Sequence, residues 1–249
     1  MTRNVLVTGA GDGLGRVIAE RFLTLGDRVF ACDISADSLA ALPNAHVRAL
    51  DVGDHGAVGA YVADILDIVP AIDLFVSNVG IAGPIAAVED IDPEGWTATM
   101  NVNVGGTLAF IRGLLPAMKR QRRGAIVAIS TISTKTLPVH RAPYIVSKAA
   151  LEALILALAR EAAPFGIGCN AIRPGMMNNA RMDRVIAAMA ARTGQTPAEA
   201  EAEQLRFVGM KSRIGMDEVA DMVVHLASSA GRHITGQMIA VDGGLEWEM

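Results

Sequence analysis

Aromatic residues make up only 4% of this 249-residue chain and charged residues only 19%, whereas 51% of the residues are hydrophobic. Because the net charge is only −4 and apolar surface is plentiful, the composition excludes an intrinsically disordered protein. No run of eighteen or more apolar residues occurs, so we expect no helix that spans a membrane. The aliphatic surplus instead predicts strands buried on both faces, as in a parallel sheet covered by helices.

Cysteine and histidine are also scarce, which limits the possible chemistry. Two cysteines, Cys32 and Cys169, cannot form a disulfide framework or a zinc site, and the five histidines show no metal-ligand spacing. We therefore expect no metal site and a reduced, cytoplasmic environment. The apolar run at 5–7 is too short for a signal peptide.

The chain has 22 basic and 26 acidic residues, so neither sign of charge dominates. A slightly acidic protein of this kind is not expected to bind nucleic acid. One basic cluster occurs at 119–123, and its cations suit the C-terminal end of a helix dipole. We interpret this cluster as a solvated helix end.

Short apolar runs alternate with helical patterns along the chain. Strands are expected at 5–8, 28–32, 47–50, 73–77, 125–130, 168–172 and 237–241. Helices are expected at 14–25, 54–68, 93–119, 142–163 and 217–228. This alternation predicts an α/β fold with a Rossmann-type doubly wound parallel sheet of about seven strands and helices on both faces.

The chain contains no linker, repeat or low-complexity stretch, so residues 1–249 are expected to form a single domain. The segment 176–213 is rich in Ala, Glu and Met and reads as irregular. It follows the carboxyl end of a strand, where α/β folds bind their ligands. We interpret it as a lid over the substrate.

A glycine-rich turn connects the first expected strand to the first helix. Gly9 allows a tight turn, Gly13 lets the backbone approach a pyrophosphate, and Gly15 permits close packing of helix against strand. The free N–H groups and the dipole at a helix N-terminus favour anions. Asp33 follows Gly13 by twenty residues and can accept hydrogen bonds from the adenosine ribose hydroxyls. Together these residues predict a dinucleotide site.

The same aspartate predicts which dinucleotide binds. NADP carries a phosphate on the ribose that Asp33 would hold, and a like-charge pair near 4 Å costs about 1 to 4 kcal/mol. Asp12 adds to this repulsion, and no Arg or Lys directly follows Asp33. We therefore expect NAD(H) as the cofactor.

Several further motifs follow in order along the chain. They are the TGxxxGxG pattern at 8–15, Asp33, Asp51-Val52, Asn78-Val79-Gly80, Asn103, Tyr144 with Lys148, Pro174-Gly175, and the VDGG run at 241–244. The sequence closely resembles the classical short-chain dehydrogenase/reductase family over essentially its whole length.

The resemblance implies that Tyr144 is the general base in oxidation and the acid in reduction. Tyr144 and Lys148 are four residues apart, so they share one face of the expected helix. A free phenol loses its proton near pH 10. One ammonium near 4 Å favours the phenolate by about 4 kcal/mol at an effective dielectric of 20. By resemblance, Lys148 also holds the nicotinamide ribose, and Asn103 kinks its helix and anchors a water in a proton relay.

The resemblance also implies a set of cofactor contacts that is spread over several loops. The expected contacts are Gly9, Asp12, Gly13, Leu14, Gly15, Asp33, Asp51, Val52, Asn78, Gly80, Tyr144, Lys148, Pro174, Gly175 and Asn179.

This sequence departs from the family pattern at three positions. The family usually has a serine thirteen residues before the tyrosine, where this chain has Thr131. We expect Thr131 to take the serine's role, since its hydroxyl can donate to a substrate oxygen; the alternative is that Ser130 or Ser133 does so. Asn179 replaces a threonine that touches the nicotinamide carboxamide, and Val79 replaces a more usual alanine.

The substrate pocket is expected to include Ser133, Arg141 and Met176. Hydroxybutyrate-dehydrogenase-like members of the family carry a basic residue at the position of Arg141, three before the tyrosine, that touches a substrate carboxylate. Arginine grips a carboxylate or sulfonate bidentately. The alternatives are an exposed arginine at a helix start and a flexible methionine wall for a hydrophobic alcohol.

The sequence therefore predicts an NAD-dependent enzyme that interconverts a small secondary alcohol and a ketone by hydride transfer, without a metal. Two alternatives stay open: an NADPH-type 3-oxoacyl thioester ketoreductase, and a catalytically silent dinucleotide-binding regulator. By resemblance, we expect a homotetramer (or a dimer) formed through the helical zones at 93–119 and 142–163.

Overall fold

A computed structural model describes residues 2–245. Within that range, seven strands alternate with helices. The strands are β1 (Asn4–Thr8), β2 (Arg28–Asp33), β3 (His46–Ala49), β4 (Leu74–Ser77), β5 (Gly124–Ile129), β6 (Ile167–Pro174) and β7 (Met238–Val241). The helices are α1 (Gly13–Thr24), α2 (Ala36–Leu39), α3 (His55–Ile68), α4 (Pro93–Met100), α5 (Gly106–Gln121), α6 (Ser133–Thr136), α7 (Ala142–Ala162), α8 (Ala180–Thr193), α9 (Pro197–Leu205) and α10 (Met216–Leu226).

All seven strands lie in one parallel sheet with the order β3-β2-β1-β4-β5-β6-β7. The chain first moves outward from β1 to β3 and then returns to place β4 on the other side of β1. The loops that follow β1 and β4 consequently diverge at the carboxyl edge of the sheet. Open α/β sheets bind their ligands in the crevice at this position.

The sheet is covered on both faces, and alternate side chains of each strand enter different layers. Leu6 of β1 belongs to the layer beneath α3, α5 and α7, whereas Val5 and Val7 pack beneath α1, α2 and α10. Phe30 and Val29 of β2 divide in the same way. These doubly buried strands account for the aliphatic surplus, and they confirm the predicted doubly wound parallel fold.

The zone at 93–119 is divided, whereas the periodicity predicted one helical stretch. A π-helical turn at Asn101–Gly105 separates α4 from α5. Such turns insert an extra residue and often occur at functional sites. Here the turn contains Asn103, the residue that the family resemblance expects to distort its helix.

The reading of 176–213 as irregular is wrong, because the segment contains α8 and α9. The start of α9 carries a sequence signal that the interpretation missed. Thr196 accepts from the Glu199 amide, the Glu199 side chain accepts from the Thr196 amide, and Pro197 occupies the first turn. This capping box with a following proline is typical of helix N-termini.

Among the described residues, one helical stretch, Ala142–Phe165, is long and apolar enough to cross a membrane by length and composition. It lies against the sheet, with Leu151 and Ile155 fully buried in the layer beneath α7. The core helix of a folded domain passes the same length and composition test, so this feature alone carries little weight for a membrane span.

The tightest backbone approach in the glycine-rich turn occurs at Gly15, in the first turn of α1. A Cβ atom added there would lie 2.0 Å from the Gly9 carbonyl oxygen and 2.6 Å from Asn78 Nδ2. The helix can therefore pack against the end of β1 only with glycine at this position.

We expect Gly15→Ala to destabilise the fold by about 1–3 kcal/mol, the usual cost of overpacking, and to abolish NAD binding. Gly59→Ala in α3 is the matched control, because an added Cβ there meets nothing within 4 Å. In an exposed helix interior this change stabilises by about 0.5–1 kcal/mol. Thermal unfolding with and without NAD measures both variants. A Gly15→Ala protein that melts like the wild type and binds NAD normally would contradict the packing argument.

Candidate active site

A cavity of about 1210 Å³ opens at the carboxyl edge of the sheet and extends from the glycine-rich turn to α7 and α8. Ligand sites for small molecules span about 300–1,000 Å³, so this cavity has room for a dinucleotide and a substrate together. Of the expected site residues, those lining it are Gly9, Asp12, Gly13, Leu14, Asp33, Asp51, Val52, Asn78, Gly80, Thr131, Ser133, Arg141, Tyr144, Lys148, Pro174, Gly175, Met176 and Asn179.

Two expected residues, Gly15 and Asn103, are absent from that lining. Gly15 is buried behind the turn, which fits the packing role predicted for it from the glycine-rich motif. Asn103 is fully buried behind the loop at Ile81. Both residues therefore act on the site through their neighbours.

The N-terminus of α1 is suited to an anion. Gly9 and Gly13 adopt positive φ angles of 64° and 55°, which glycine tolerates at no steric cost. Asp12 occupies the N-cap position, yet its side chain makes no capping hydrogen bond. The first amides of a 12-residue helix thus stay available for a pyrophosphate.

The carboxylate of Asp33 is fixed at the end of β2 by two backbone amides. Gly11 N donates to Oδ2 at 3.0 Å and Ser35 N donates to Oδ1 at 3.1 Å. The nearby cation, Arg16, donates instead to the carbonyls of Gly11 and Ser38. This end of the cavity therefore presents a fixed carboxylate that fits the ribose of a nicotinamide dinucleotide.

Asn78 connects the ends of β4 and β1. Its Nδ2 atom donates to the carbonyls of Thr8 at 3.1 Å and Gly9 at 3.2 Å, and its amide donates to Thr8 Oγ1 at 3.0 Å. Asn78 therefore holds the glycine-rich turn in place as well as lining the cavity. The contact joins residues seventy positions apart, and no local motif at Thr8 predicts it.

Tyr144 and Lys148 project from one face of α7, and both are buried. Lys148 Nζ donates to the carbonyl of Ile129 at 2.7 Å and lies below Gly80, where an added Cβ would stand only 2.8 Å from it. Burial and, to a smaller extent, the charge of Arg181 lower the pKa of Lys148 to about 8, against an opposing effect of Glu152. The ammonium is therefore confined between the ends of β4 and β5 beneath the tyrosine helix.

Asn103 fastens the loop after β4 to α7. Its Oδ1 atom accepts from Ile81 N at 2.8 Å, and its Nδ2 atom donates to Ile81 O at 3.0 Å and to Ser147 Oγ at 2.9 Å. Ser147 Oγ in turn donates to the Tyr144 carbonyl at 2.8 Å. The π turn thus places an amide where it sets the distance between Gly80 and the tyrosine helix.

The two hydroxyls at the end of β5 have different partners. Ser130 Oγ donates to the buried Glu152 at 2.5 Å. Thr131 Oγ1 lies 3.2 Å from Ser133 Oγ and accepts from the Ser133 amide at 3.2 Å. All three residues line the cavity, but the Ser130 hydroxyl donates to Glu152, whereas the Thr131 and Ser133 hydroxyls are paired with each other.

The partner of Ser130 is part of a buried network that sequence reasoning missed. Glu152 accepts from Arg173 at 2.8 and 2.6 Å, and from Thr134 Oγ1 at 3.0 Å. Burial alone would raise the pKa of Glu152, but the hydrogen bonds from Arg173, Ser130 and Thr134 hold it below its usual value. Thr134 Oγ1 also bonds the Thr131 carbonyl, at 2.9 Å, so the network supports the strand end that carries Thr131.

Two arginines stand against the ring of Tyr144. The guanidinium carbons of Arg141 and Arg181 lie 5.2 and 5.6 Å from the ring centroid. Partial burial lowers the pKa of Arg141; Tyr144 opposes this shift, whereas Arg181 adds to it. The sequence indicated Arg141 but not Arg181, which lies 37 positions from the tyrosine and follows no motif.

Asn179, expected at the nicotinamide carboxamide, also has a structural role. Its side-chain oxygen caps α8 by accepting from Met182 N at 2.9 Å. Only its amide nitrogen stays available to a cofactor. Met176 lies beside it, packed on Ile186 and Ala190 of α8.

Comparisons with known proteins agree with this geometry. A family model described as enoyl-(acyl carrier protein) reductase matches residues 9–246. The chain is 34% identical to 2-(R)-hydroxypropyl-CoM dehydrogenase of Xanthobacter autotrophicus over 98% of both chains. It is 32% identical to 2,3-dihydro-2,3-dihydroxybenzoate dehydrogenase of Escherichia coli, over 97% of this chain and 96% of that one.

Solved structures give the same assignment. A xylitol dehydrogenase with bound NAD+ is 25% identical and superposes with a TM-score of 0.91, over 97% of this chain and 98% of the other. The matching family model, the relatives over nearly the full length and the shared architecture lead to one conclusion: the chain belongs to the classical short-chain dehydrogenase/reductase family of oxidoreductases.

Proposed function

We propose that this oxidoreductase uses NAD to interconvert a secondary alcohol and a ketone. The observation that carries the proposal is the pairing of two features in one cavity. Tyr144 stands one helical turn from the buried Lys148 at one end, and the fixed carboxylate of Asp33 stands at the other. The first pair suits proton transfer at a carbinol oxygen, and the second suits an adenosine ribose.

The residues that would hold NAD follow from this layout. The amides at the start of α1 would bind the pyrophosphate, Asp33 the adenosine ribose, and Lys148 the nicotinamide ribose. NAD, when bound, supplies the acceptor for the hydride that leaves the carbinol carbon as its C–H bond breaks.

The proton leaves by a separate route. Tyr144 takes the hydroxyl proton as the C=O double bond forms, and in reduction it returns that proton. The ammonium of Lys148, four residues further along α7, is the cation that would stabilise a phenolate during this transfer. Thr131 donates a hydrogen bond to the substrate oxygen, and Asn103 holds the relay that renews the proton.

The preference for NAD rests on charge. Asp33 and Asp12 both line the cavity, and one Nη atom of Arg16 donates to the carbonyls of Gly11 and Ser38. The xylitol dehydrogenase at 25% identity was solved with NAD+. Among relatives above 30% identity, two are dehydrogenases by name and two are ketoacyl reductases by name, so the carbinol–ketone pair is common to all four while their names divide on the direction.

The remaining parts of the proposal concern the segment 176–213 and the assembly. We propose a single domain in which 176–213 acts as a lid, with Met176 and Ser133 in contact with substrate. The protein would act in the cytoplasm as a homotetramer (or dimer) through α5 and α7. Val146, Leu156 and Leu108 are exposed on these helices, which supports an apolar contact between copies.

We expect wild-type protein to reduce NAD when offered a panel of small secondary alcohols. NADP should bind about 10- to several hundredfold more weakly than NAD, because one like-charge pair accounts for about 1 to 4 kcal/mol. Asp33→Asn should narrow this gap by removing the charge while keeping the shape. Initial rates and NAD or NADP titrations measure both effects.

The same assay separates the alternatives. Turnover confined to 3-oxoacyl thioesters with NADPH would identify the ketoreductase, and cofactor binding without any turnover would identify a regulator. Equal affinities for NAD and NADP in the wild type would refute the role of Asp33.

A second pair of variants tests the hydroxyl at the end of β5. Thr131→Ala should lower kcat by about 100-fold, the usual effect of removing one donor to the reacting oxygen. Thr131→Ser should restore most of it. Ser130→Ala is the control: it loses a bond to Glu152 and should lower thermal stability while leaving kcat within about threefold of wild type. A loss of kcat in Ser130→Ala with full activity in Thr131→Ala would reverse the assignment.

A further inference from the structure

The charged residues that line the cavity are separated by sign. The acids Asp12, Asp33 and Asp51 follow β1, β2 and β3, on one side of the crevice. The cations Arg141, Lys148, Arg181 and Arg192 come from segments after β5 and β6, on the other side. Among the described residues, no acid lines the half of the cavity that contains Tyr144.

Neither arginine beside Tyr144 has a charged partner among residues 2–245. In this part of the chain, no carboxylate oxygen lies within 4 Å of Arg141 or Arg181, and neither side chain donates a hydrogen bond to another described residue. Both instead face the ring of Tyr144, a weak partner for a cation in contact with water. Arg173, on the adjoining strand, is by contrast paired bidentately with Glu152.

These cations act on one another. Arg181 lowers the pKa of both Arg141 and Lys148, in addition to the larger effect of burial on each. Glu152 opposes the shift at Lys148, but its carboxylate is already shared by Arg173, Ser130 and Thr134. The tyrosine end of the cavity therefore carries an excess of positive charge that no described side chain neutralises.

The position of Arg181 is fixed by the fold. Arg181 lies in the first turn of α8, which Asn179 caps. Two residues later, Asp183 forms an ion pair with Arg213 at 2.5 Å, and Arg213 also pairs with Glu201 of α9 at 2.6 Å. These contacts hold the start of α8 over Tyr144, so Arg181 is directed to the ring by its own helix and not by a flexible loop.

From this arrangement we propose that the substrate carries a terminal anionic group, a carboxylate or a sulfonate, which Arg141 and Arg181 bind together while its hydroxyl or carbonyl oxygen meets Tyr144 and Thr131. The inference rests on the proposed function and adds the substrate class to it. Guanidinium groups suit this role because their planar donors match both oxyanions bidentately. A neutral alcohol would leave the half-buried Arg141 without an anionic partner, whereas Arg181, on the exposed start of α8, can reach an anion held at Arg141.

Matched substrates test the proposal. The acid 3-hydroxybutanoate is compared with its neutral methyl ester, and 2-hydroxypropane-1-sulfonate serves as the sulfonate arm. The wild type should favour one of the two anions over the ester in kcat/KM by about 100-fold, since hydrogen bonds to charged groups are the stronger class. Which anion is preferred distinguishes a carboxylate from a sulfonate substrate.

Variants of the two arginines should remove this preference. Arg141→Gln and Arg181→Gln should each lower kcat/KM for the anion by about 10- to 100-fold, mainly through KM, and change the ester by less than about threefold. Arg184→Gln is the matched control, because it makes the same charge change on α8 outside the cavity lining. It should behave like the wild type with every substrate.

A binding measurement keeps the test independent of turnover. The tertiary alcohol 3-hydroxy-3-methylbutanoate cannot be oxidised, and its amide is neutral. Calorimetry in the presence of NADH should show the acid binding to the wild type and to Arg184→Gln, with affinity reduced about tenfold or more in Arg181→Gln, and no measurable binding of the amide.

The outcomes separate this inference from the proposed function. Absence of oxidation of every alcohol, with the acid still bound through both arginines, would refute the function and leave the anion site standing. Equal turnover of acid and ester, or equal losses for both substrates in the arginine variants, would refute the inference while the function stands. Failure of the acid to bind would also overturn it.

Discussion

The site depends on one buried cation, the ammonium of Lys148. It is 2% exposed and is held by the Ile129 carbonyl at the end of β5, below Gly80 at the end of β4. Burying a charged group costs free energy unless the group is hydrogen-bonded. Burial is accordingly the main reason that the pKa of Lys148 is lowered to about 8. Three elements, β4, β5 and α7, have to meet at one point to hold it. The parallel order of the sheet brings them there, and Asn103 fixes the loop after β4 to α7.

The strand order also sorts the charges of the cavity. Because β2 and β3 lie on one side of β1, and β5 and β6 on the other side of β4, residues that follow these strands are delivered to opposite halves of the crevice. The acid at the end of β2 therefore meets the region proposed for the adenosine ribose. The cations of α7 and α8 lie around Tyr144. The acid of that region, Glu152, is already paired with Arg173. On the proposed function, the two halves would set cofactor choice and substrate charge separately.

The site residues that could be predicted from the sequence are those in short motifs of fixed spacing. The glycines of the first turn, Asp33, and the pair of Tyr144 and Lys148 are each recognisable within a few positions, and the alternation of strands and helices gave the doubly wound sheet. What it missed depends on contacts between distant positions. Arg181 meets Tyr144 only because α8 folds over the cavity, and Glu152 meets Arg173 and Ser130 across two elements. Helix α9 is a different case, because the capping box at Thr196 is a local sequence signal from which the helix could have been predicted.

The central claim is that Tyr144 transfers the proton during hydride transfer, and the two tyrosines of the chain permit a direct test. Tyr144→Phe should bind NADH with wild-type affinity in a fluorescence titration, yet lose about 10²- to 10⁴-fold in the single-turnover rate of hydride transfer. Tyr61→Phe is the control: Tyr61 is buried beneath the sheet, bonded to the Ala31 carbonyl, and its variant should transfer hydride at close to the wild-type rate. A Tyr144→Phe protein that transfers hydride as fast as Tyr61→Phe would contradict the account.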